Sequence, residues 1–259
     1  MASAILGGCI AQGLPANQVC VVDPNEEQRA ALNARWAVQV LAQADASLHA
    51  ADIVIWAVKP QALQAVVQST RIHTRADALH LSVAAGVTSD SLARWLSSDN
   101  IVRAMPNTPA LVGAGATALY ARQGVCEADK DKVGALLEST GLVLWVPREV
   151  DLEGVTAVSG SGPAYVFYWL EAMVQAGVEL GLDEDTAKQL AIATFQGAAQ
   201  LAASSPDSPG VLRDRVTSKG GTTFEALEVM RAQQVGPSIV QAMHACAHRA
   251  RELGEEFGG

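Results

Sequence analysis

Ser159-Gly160-Ser161-Gly162-Pro163-Ala164-Tyr165 is the stretch at which the chain changes character. Before it, short β-branched runs alternate with helical runs; after it no run reads as a strand. The stretch is therefore a joint between domains. It is also a candidate site, because its glycines and serines stand directly before a long apolar helix, whose positive end and open N–H groups can hold an anion. On this stretch alone, a plain Ser/Gly helix cap is the simpler reading.

Working back from the joint, residues 19–22 form a β run closed by Asp23 and Pro24, and residues 26–36 are helical. Residues 51–58 (Ala-Asp-Ile-Val-Ile-Trp-Ala-Val) are apolar almost throughout, as expected of a parallel strand covered on both faces. Helices over 62–68 and 89–96 alternate with strands over 78–83 and 101–104, and a strand at 116–120, a helix at 127–139 and a strand at 142–146 follow. This β-α alternation predicts an α/β, Rossmann-like doubly wound domain over residues 1–147 with about six strands. Residues 1–13 read as a small-residue helix stopped by Gly13 and Pro15. Such a helix belongs after a strand, and none precedes it here.

Working forward, residues 148–259 are helical throughout, with helices expected over 150–158, 163–180, 184–203, 211–215, 223–231 and 237–253. Asp183 before Glu184 and Asp185 is a good N-cap. The helix over 163–180 is apolar on nearly every side (Val166, Phe167, Tyr168, Trp169, Leu170, Met173), so it should be buried all round. A small all-α domain can hardly wrap such a helix alone, which calls for a second subunit.

With 27 acidic and 18 basic residues the formal charge is −9, and the basic residues are scattered, which argues against a nucleic-acid groove or an anionic membrane surface. Cys9, Cys20, Cys126 and Cys246 form no CxxC pair and sit in or beside apolar runs, as reduced cytosolic thiols do. Ile5-Leu6-Gly7-Gly8-Cys9 imitates a lipoprotein processing site, but no Lys or Arg precedes it and its apolar stretch is short. No run of about 18 apolar residues occurs, so a cytoplasmic chain is expected.

In a doubly wound sheet the strand carboxyl ends form the ligand crevice. Ala57-Val58-Lys59-Pro60, Ala84-Ala85-Gly86-Val87-Thr88 and Ala104-Met105-Pro106-Asn107-Thr108-Pro109 all fall there. Asp23 ends an early strand, where an acid can bond a ribose 2′-hydroxyl or simply make an Asp-Pro turn. Lys59 is a phosphate-binding or catalytic lysine, or merely a solvated one. Val216-Thr217-Ser218-Lys219-Gly220-Gly221-Thr222-Thr223 opens a helix, and Thr222 to Glu225 has capping-box spacing. Its glycines and hydroxyls exceed what a cap needs, and bare N–H groups there can hold a small carboxylate. His244 and His248 bracket Cys246 one helical turn apart, but no third metal ligand follows nearby; these residues read as a packed C-terminal helix, and no metal is expected. No Ser-His-Asp order or HExxH motif appears, which suggests chemistry supplied by a cofactor.

Taken in order, Ala57 to Gln61, Ala84 to Thr88, Met105 to Ala110, Ser159 to Tyr165 and Thr217 to Thr223 closely resemble pyrroline-5-carboxylate reductase over essentially the whole chain. The resemblance implies a Rossmann domain followed by a helical domain that interlocks with its twin as a homodimer, with a decamer of dimers as the larger ring. It implies reduction of pyrroline-5-carboxylate to proline with NADPH or NADH. It assigns Asp23, Ala57, Val58, Lys59, Pro60, Ala84, Ala85, Gly86, Met105, Pro106, Asn107 and Thr108 to the cofactor, and Ser218, Gly220, Gly221, Thr222 and Thr223 to the substrate. The Gly221, Thr222 and Thr223 backbone would receive the substrate carboxylate, and the Thr223 hydroxyl would bond the ring nitrogen. Lys219 stands where many relatives have proline. Asp23 suits NADH, whereas Asn25 and Arg29 could serve a 2′-phosphate.

The family opens with a β-strand and a Gly-x-Gly-x-x-type loop, and Met1-Ala2-Ser3-Ala4 matches the residues just after that loop. The expectation is a Rossmann domain with its first strand missing and a pyrophosphate deprived of backbone donors. A non-catalytic oligomeric scaffold with an incomplete dinucleotide site is the alternative, and the absent glycines are its only support.

Overall fold

The computed structural model describes residues 1–258. By packing, the chain divides into one unit formed by Met1–Pro163 with the chain from Cys246 onward, and a second formed by Ala164–Ala245.

In the first unit, α1 (Ala2–Ala11) precedes β1 (Cys20–Val22), α2 (Glu26–Trp36) and β2 (Gln39–Leu41). Then come β3 (Ile53–Trp56), α3 (Pro60–Thr70), β4 (Leu79–Ser82), α4 (Ser89–Leu96), β5 (Ile101–Met105), β6 (Gly115–Ala121), α5 (Glu127–Glu138) and β7 (Gly141–Trp145). β3 to β7 form one sheet in sequence order, with β3, β4 and β5 parallel. Every residue of β4 is buried, as befits a strand with neighbours and helices on all sides.

Successive side chains point to opposite faces and build two cores. Leu79, Leu81, Val102 and Leu119 meet Ile5 and Cys9 of α1 and Val133 and Leu137 of α5. Trp56 and Ile101 meet Leu63 and Val67 of α3 and Leu92, Trp95 and Leu96 of α4. The doubly wound architecture is thus present, with helices over both faces. The glycines of α1 serve close approach: a Cβ on Gly8 would overlap the Ser139 hydroxyl.

Two features correct the expected sheet. There are seven strands among the described residues rather than six, because β2 pairs in parallel with β1 over Gln39–Leu41, a segment too short and too polar at its start to carry a periodic signal. The sheet is also mixed: β6 runs antiparallel to β5, and β7 parallel to β6. A parallel return from β5 would need a crossover of a dozen or more residues, whereas 106–114 supply only a loop with a single 3₁₀ turn. No described strand joins β1 to β3, so the sheet is in two pieces.

All elements after β7 are helical: α6 (Asp151–Val155), α7 (Gly162–Glu179), α8 (Glu184–Ser204), α9 (Pro209–Arg215), α10 (Thr222–Ala232) and α11 (Val235–Phe257). Asp183 caps α8 by accepting the Thr186 N–H at 2.9 Å, which holds its carboxyl below the usual aspartate range. α7 and α8 approach closely where Gly177 faces Ala187, at a distance that leaves no room for a Cβ. In the second unit the fully buried hydrophobic residues described are Ala187 and Ala191, while Phe167 and Tyr168 are 64% and 74% exposed. No described helix is long and apolar enough to cross a membrane.

Candidate functional site

The register aligns Trp56 with Ser82 and Ser82 with Arg103, so the loops after β3, β4 and β5 leave the sheet side by side at its carboxyl edge. Ala57 and Val58 are half-buried and Lys59 is exposed. Lys59 is the N-cap of α3 and Pro60 its first residue, where a missing N–H costs the helix nothing. In the second loop Ala84 is buried, and Gly86 has φ +80°. A Cβ on Gly86 would lie 3.1 Å from the Leu253 Cβ, so the end of α11 covers this turn, and a glycine is needed on both counts. Thr88 caps α4 by accepting the Ser91 N–H.

The third loop is tied down from inside. Asn107 is buried; its Nδ2 donates to the Ser159 carbonyl at 3.0 Å and its Oδ1 accepts the Ala116 N–H at 2.8 Å. Pro106 is buried, Met105 half-buried and Thr108 exposed. The Met105 side chain lies directly against Gly160, where a Cβ would collide with its methyl group. The loop after β5 is therefore joined to Ser159 and Gly160 through Asn107 and Met105.

That stretch is not the open anion-binding cap its composition suggests. Thr156–Gly160 form a single π-helical turn continuing α6, and the Ser161 N–H is spent on the Thr156 carbonyl at 2.8 Å. The Ser159 hydroxyl donates to the Val155 carbonyl and the Cys246 thiol donates to the Ser161 hydroxyl. π-turns of this kind widen a helix locally and recur at functional sites. His248 stands 3.4 Å from Glu252.

At the end of β1, one oxygen of Asp23 accepts the Asn25 N–H at 2.8 Å, and the Arg29 guanidinium donates to the Asp23 carbonyl at 2.8 Å. Asn25 in turn caps α2 by accepting the Gln28 N–H. The Asx turn and a held cation thus occupy the same strand end.

In the second unit, Ser218 and Gly220 are exposed and Gly220 takes φ +70°. The capping box expected from Thr222 and Glu225 does not form. Gly221 is the N-cap of α10, Glu225 donates its N–H to the Gly221 carbonyl, and no side chain caps the helix. Gly221 itself gives its N–H to the Ser218 carbonyl at 3.0 Å. The exposed Thr222 and Thr223 then sit in the first turn, where N–H groups have no intrahelical partner, and their hydroxyls have none among the described residues. An open groove of about 350 Å³ flanks this loop, lined by Asp214, Thr217, Lys219, Phe224 and Arg231.

Sequence reasoning missed His80, Arg103 and Glu149. His80 is buried toward the amino end of β4, accepts the Trp56 indole N–H at 3.3 Å on Nδ1, and is pushed by burial down to about 4. Arg103 and Glu149 pair at 2.7 Å behind the loop of Gly86. A lone histidine in an apolar run and an ion pair between distant segments leave no periodic or motif signal.

The family model described as pyrroline-5-carboxylate reductase dimerisation matches residues 149–253, and that described as NADP oxidoreductase coenzyme F420-dependent matches residues 1–86. The chain is 43% identical to pyrroline-5-carboxylate reductase of Pseudomonas aeruginosa over all of its own length and 95% of the relative's. The chain belongs to the pyrroline-5-carboxylate reductase family. A solved pyrroline-5-carboxylate reductase from Coxiella burnetii superposes with a TM-score of 0.88 at 37% identity, over 97% of this chain and 94% of the other. The Plasmodium falciparum pyrroline carboxylate reductase solved with NADP bound gives 0.88 at 26% identity, with the same shares covered. Nothing among these relatives supports the scaffold reading, and the dimerisation domain of the reductase family is present here.

Proposed function

We propose that this chain reduces 1-pyrroline-5-carboxylate to L-proline with NADPH, the last step of proline biosynthesis, in the cytoplasm. The observation that carries the reading is the start of α10: Thr222 and Thr223 present unpartnered N–H groups and hydroxyls in a loop that matches the family's substrate segment. Residues 1–147 are the dinucleotide-binding domain and residues 148–259 the substrate and dimerisation domain.

The carboxyl edge fits a dinucleotide: three parallel strands release adjacent loops there, one of them turning through the positive-φ Gly86. Ala57, Val58, Lys59, Pro60, Ala84, Ala85 and Gly86 line the cofactor, and Met105, Pro106, Asn107 and Thr108 flank its nicotinamide. Asp23 lies at the adenosine ribose, and Arg29, held beside it by its bond to the Asp23 carbonyl, is the cation that would meet the 2′-phosphate of NADPH. The cofactor supplies the hydride. Ser218, Gly220 and Gly221 shape the substrate loop, the Thr222 and Thr223 N–H groups at the helix start bind the substrate carboxylate, and the Thr223 hydroxyl bonds the ring nitrogen. A protonated cyclic imine is already electrophilic, so these residues need only position it and neutralise its carboxylate.

Incubating the purified chain with NADPH and pyrroline-5-carboxylate should give loss of reduced nicotinamide matched by proline. No proline formed at any cofactor concentration, with either NADPH or NADH, removes the reading. The working state is a homodimer that assembles into a decamer of dimers. Phe167, Tyr168 and Leu180 expose apolar surface that a dimer interface would cover. Sedimentation should accordingly find no monomer at micromolar concentration, with or without cofactor, and a stable monomer would count against the assembly.

A further inference from the structure

β5 runs straight into the loop of Met105 to Thr108, and α4 follows straight on the loop of Gly86 to Thr88. One carboxylate holds both. Glu149 Oε1 accepts the Ser89 backbone N–H at 2.6 Å and the Arg103 guanidinium at 2.7 Å, while its Oε2 accepts the Ser89 hydroxyl. The cluster is shielded: Ser89 is 1% exposed, and the Arg103 side chain 12%. Charge-assisted bonds in such a place are strong and directional. Arg122 reinforces it from the far side, donating to the Ser89 hydroxyl at 3.3 Å while paired with Asp90 and Asp99. The clamp borders a cavity of about 330 Å³ that Gly86, Thr88 and Thr156 also line.

We propose that Glu149 is a positioning residue for the cofactor. Acting through the loops rather than by contact, it fixes the first residue of α4 against the middle of β5, and so sets the spacing between the loop of Gly86 and the loop of Met105 to Thr108. The end of α11 covers the Gly86 turn, and at the start of α4 Glu149 is the group that bonds both the backbone N–H and the hydroxyl of Ser89 while holding Arg103 of β5. The inference rests on the assignment of these two loops to the cofactor.

The test compares the wild-type chain with Glu149→Gln, which keeps the volume but loses the charge, and Ser89→Ala, which keeps the Glu149–Arg103 pair and the bond from the Ser89 N–H but loses the hydroxyl's bonds to Glu149 and Arg122. Amide exchange at Ser89 reads the clamp itself, without cofactor or turnover. Glu149→Gln should speed that exchange and raise the NADPH dissociation constant, measured by fluorescence titration, about tenfold, the scale of one charge-assisted bond. The KM for pyrroline-5-carboxylate should stay within about twofold, since the substrate contacts are made elsewhere. Ser89→Ala should move both readouts the same way by less, and it decides the question if Glu149→Gln does not fold. Faster exchange at Ser89 with an unchanged NADPH constant overturns the proposal, as does an equal rise in both constants. If the wild-type chain binds NADPH yet leaves pyrroline-5-carboxylate unreduced, the substrate reading alone fails, and the tenfold change in binding still supports the clamp.

Discussion

Replacing Thr223 with alanine is expected to lower kcat/KM for pyrroline-5-carboxylate by about 10- to 100-fold, the loss of one hydrogen bond to a charged group worth about 1.5–3 kcal/mol. The structure separates this effect from any cost to the fold. Thr223 is exposed in the first turn of α10, caps nothing, and its hydroxyl has no partner among the described residues. Alanine is moreover the better helix former, so thermal stability should be unchanged or slightly higher. NADPH affinity should stay at the wild-type value, because the cofactor loops belong to the other packing unit. Thr223→Ser, which keeps the hydroxyl, should recover most of the loss. Wild-type kinetics in the alanine variant would take Thr223 out of the site.

What the sequence made legible is what periodicity and local motifs encode. The apolar run at 51–58 and the buried strand after it announce a parallel sheet, and both are found, as β3 and β4 with all of β4 buried. The absence of any strand after residue 147 among the described residues is likewise a matter of composition. Three things escaped for physical reasons. The direction of β6 is set by the length of the connection from β5, which the pattern of β6 itself does not record. The start of α10 is set by the dihedral angles of Gly221, φ −86° and ψ 171°, which place the cap one residue before the threonine that the capping-box spacing selects. The Glu149 clamp joins segments far apart in the chain, and nothing near Glu149 marks it except its charge. Asn107 lies between these cases: its loop is conspicuous in the sequence, yet its side chain works inward, as the tie to Ser159 and Ala116.

Acidification from pH 6.5 to pH 4 should cost the folded chain about 3 kcal/mol through His80 alone, at about 1.4 kcal/mol for each pH unit between the two ends of its titration. His80 is 3% exposed on β4, and burial pushes its imidazole from 6.5 down to about 4. The unfolded chain therefore takes up a proton at a pH where the folded chain still refuses one. Stability is independent of this group above pH 6.5, falls as pH drops towards 4, and levels off once both states are protonated. The geometry gives the same sign: the Trp56 indole N–H points at His80 Nδ1, and a proton on that nitrogen would replace an acceptor with a second donor. Side-chain bonds from Ser47, Arg75 and Arg148 hold the Asp45, Asp77 and Asp151 carboxyls below their usual value of 3.8. What those groups contribute is present above 3.8 and lost only below it, outside the histidine window. The comparison is wild type against His80→Gln, whose amide can still accept from Trp56 but does not titrate. At fixed protein concentration, the denaturant midpoint of the wild type should fall between pH 6.5 and pH 4 while that of the glutamine variant changes much less. Parallel curves would mean that His80 takes up its proton at the same pH in the folded and the unfolded chain.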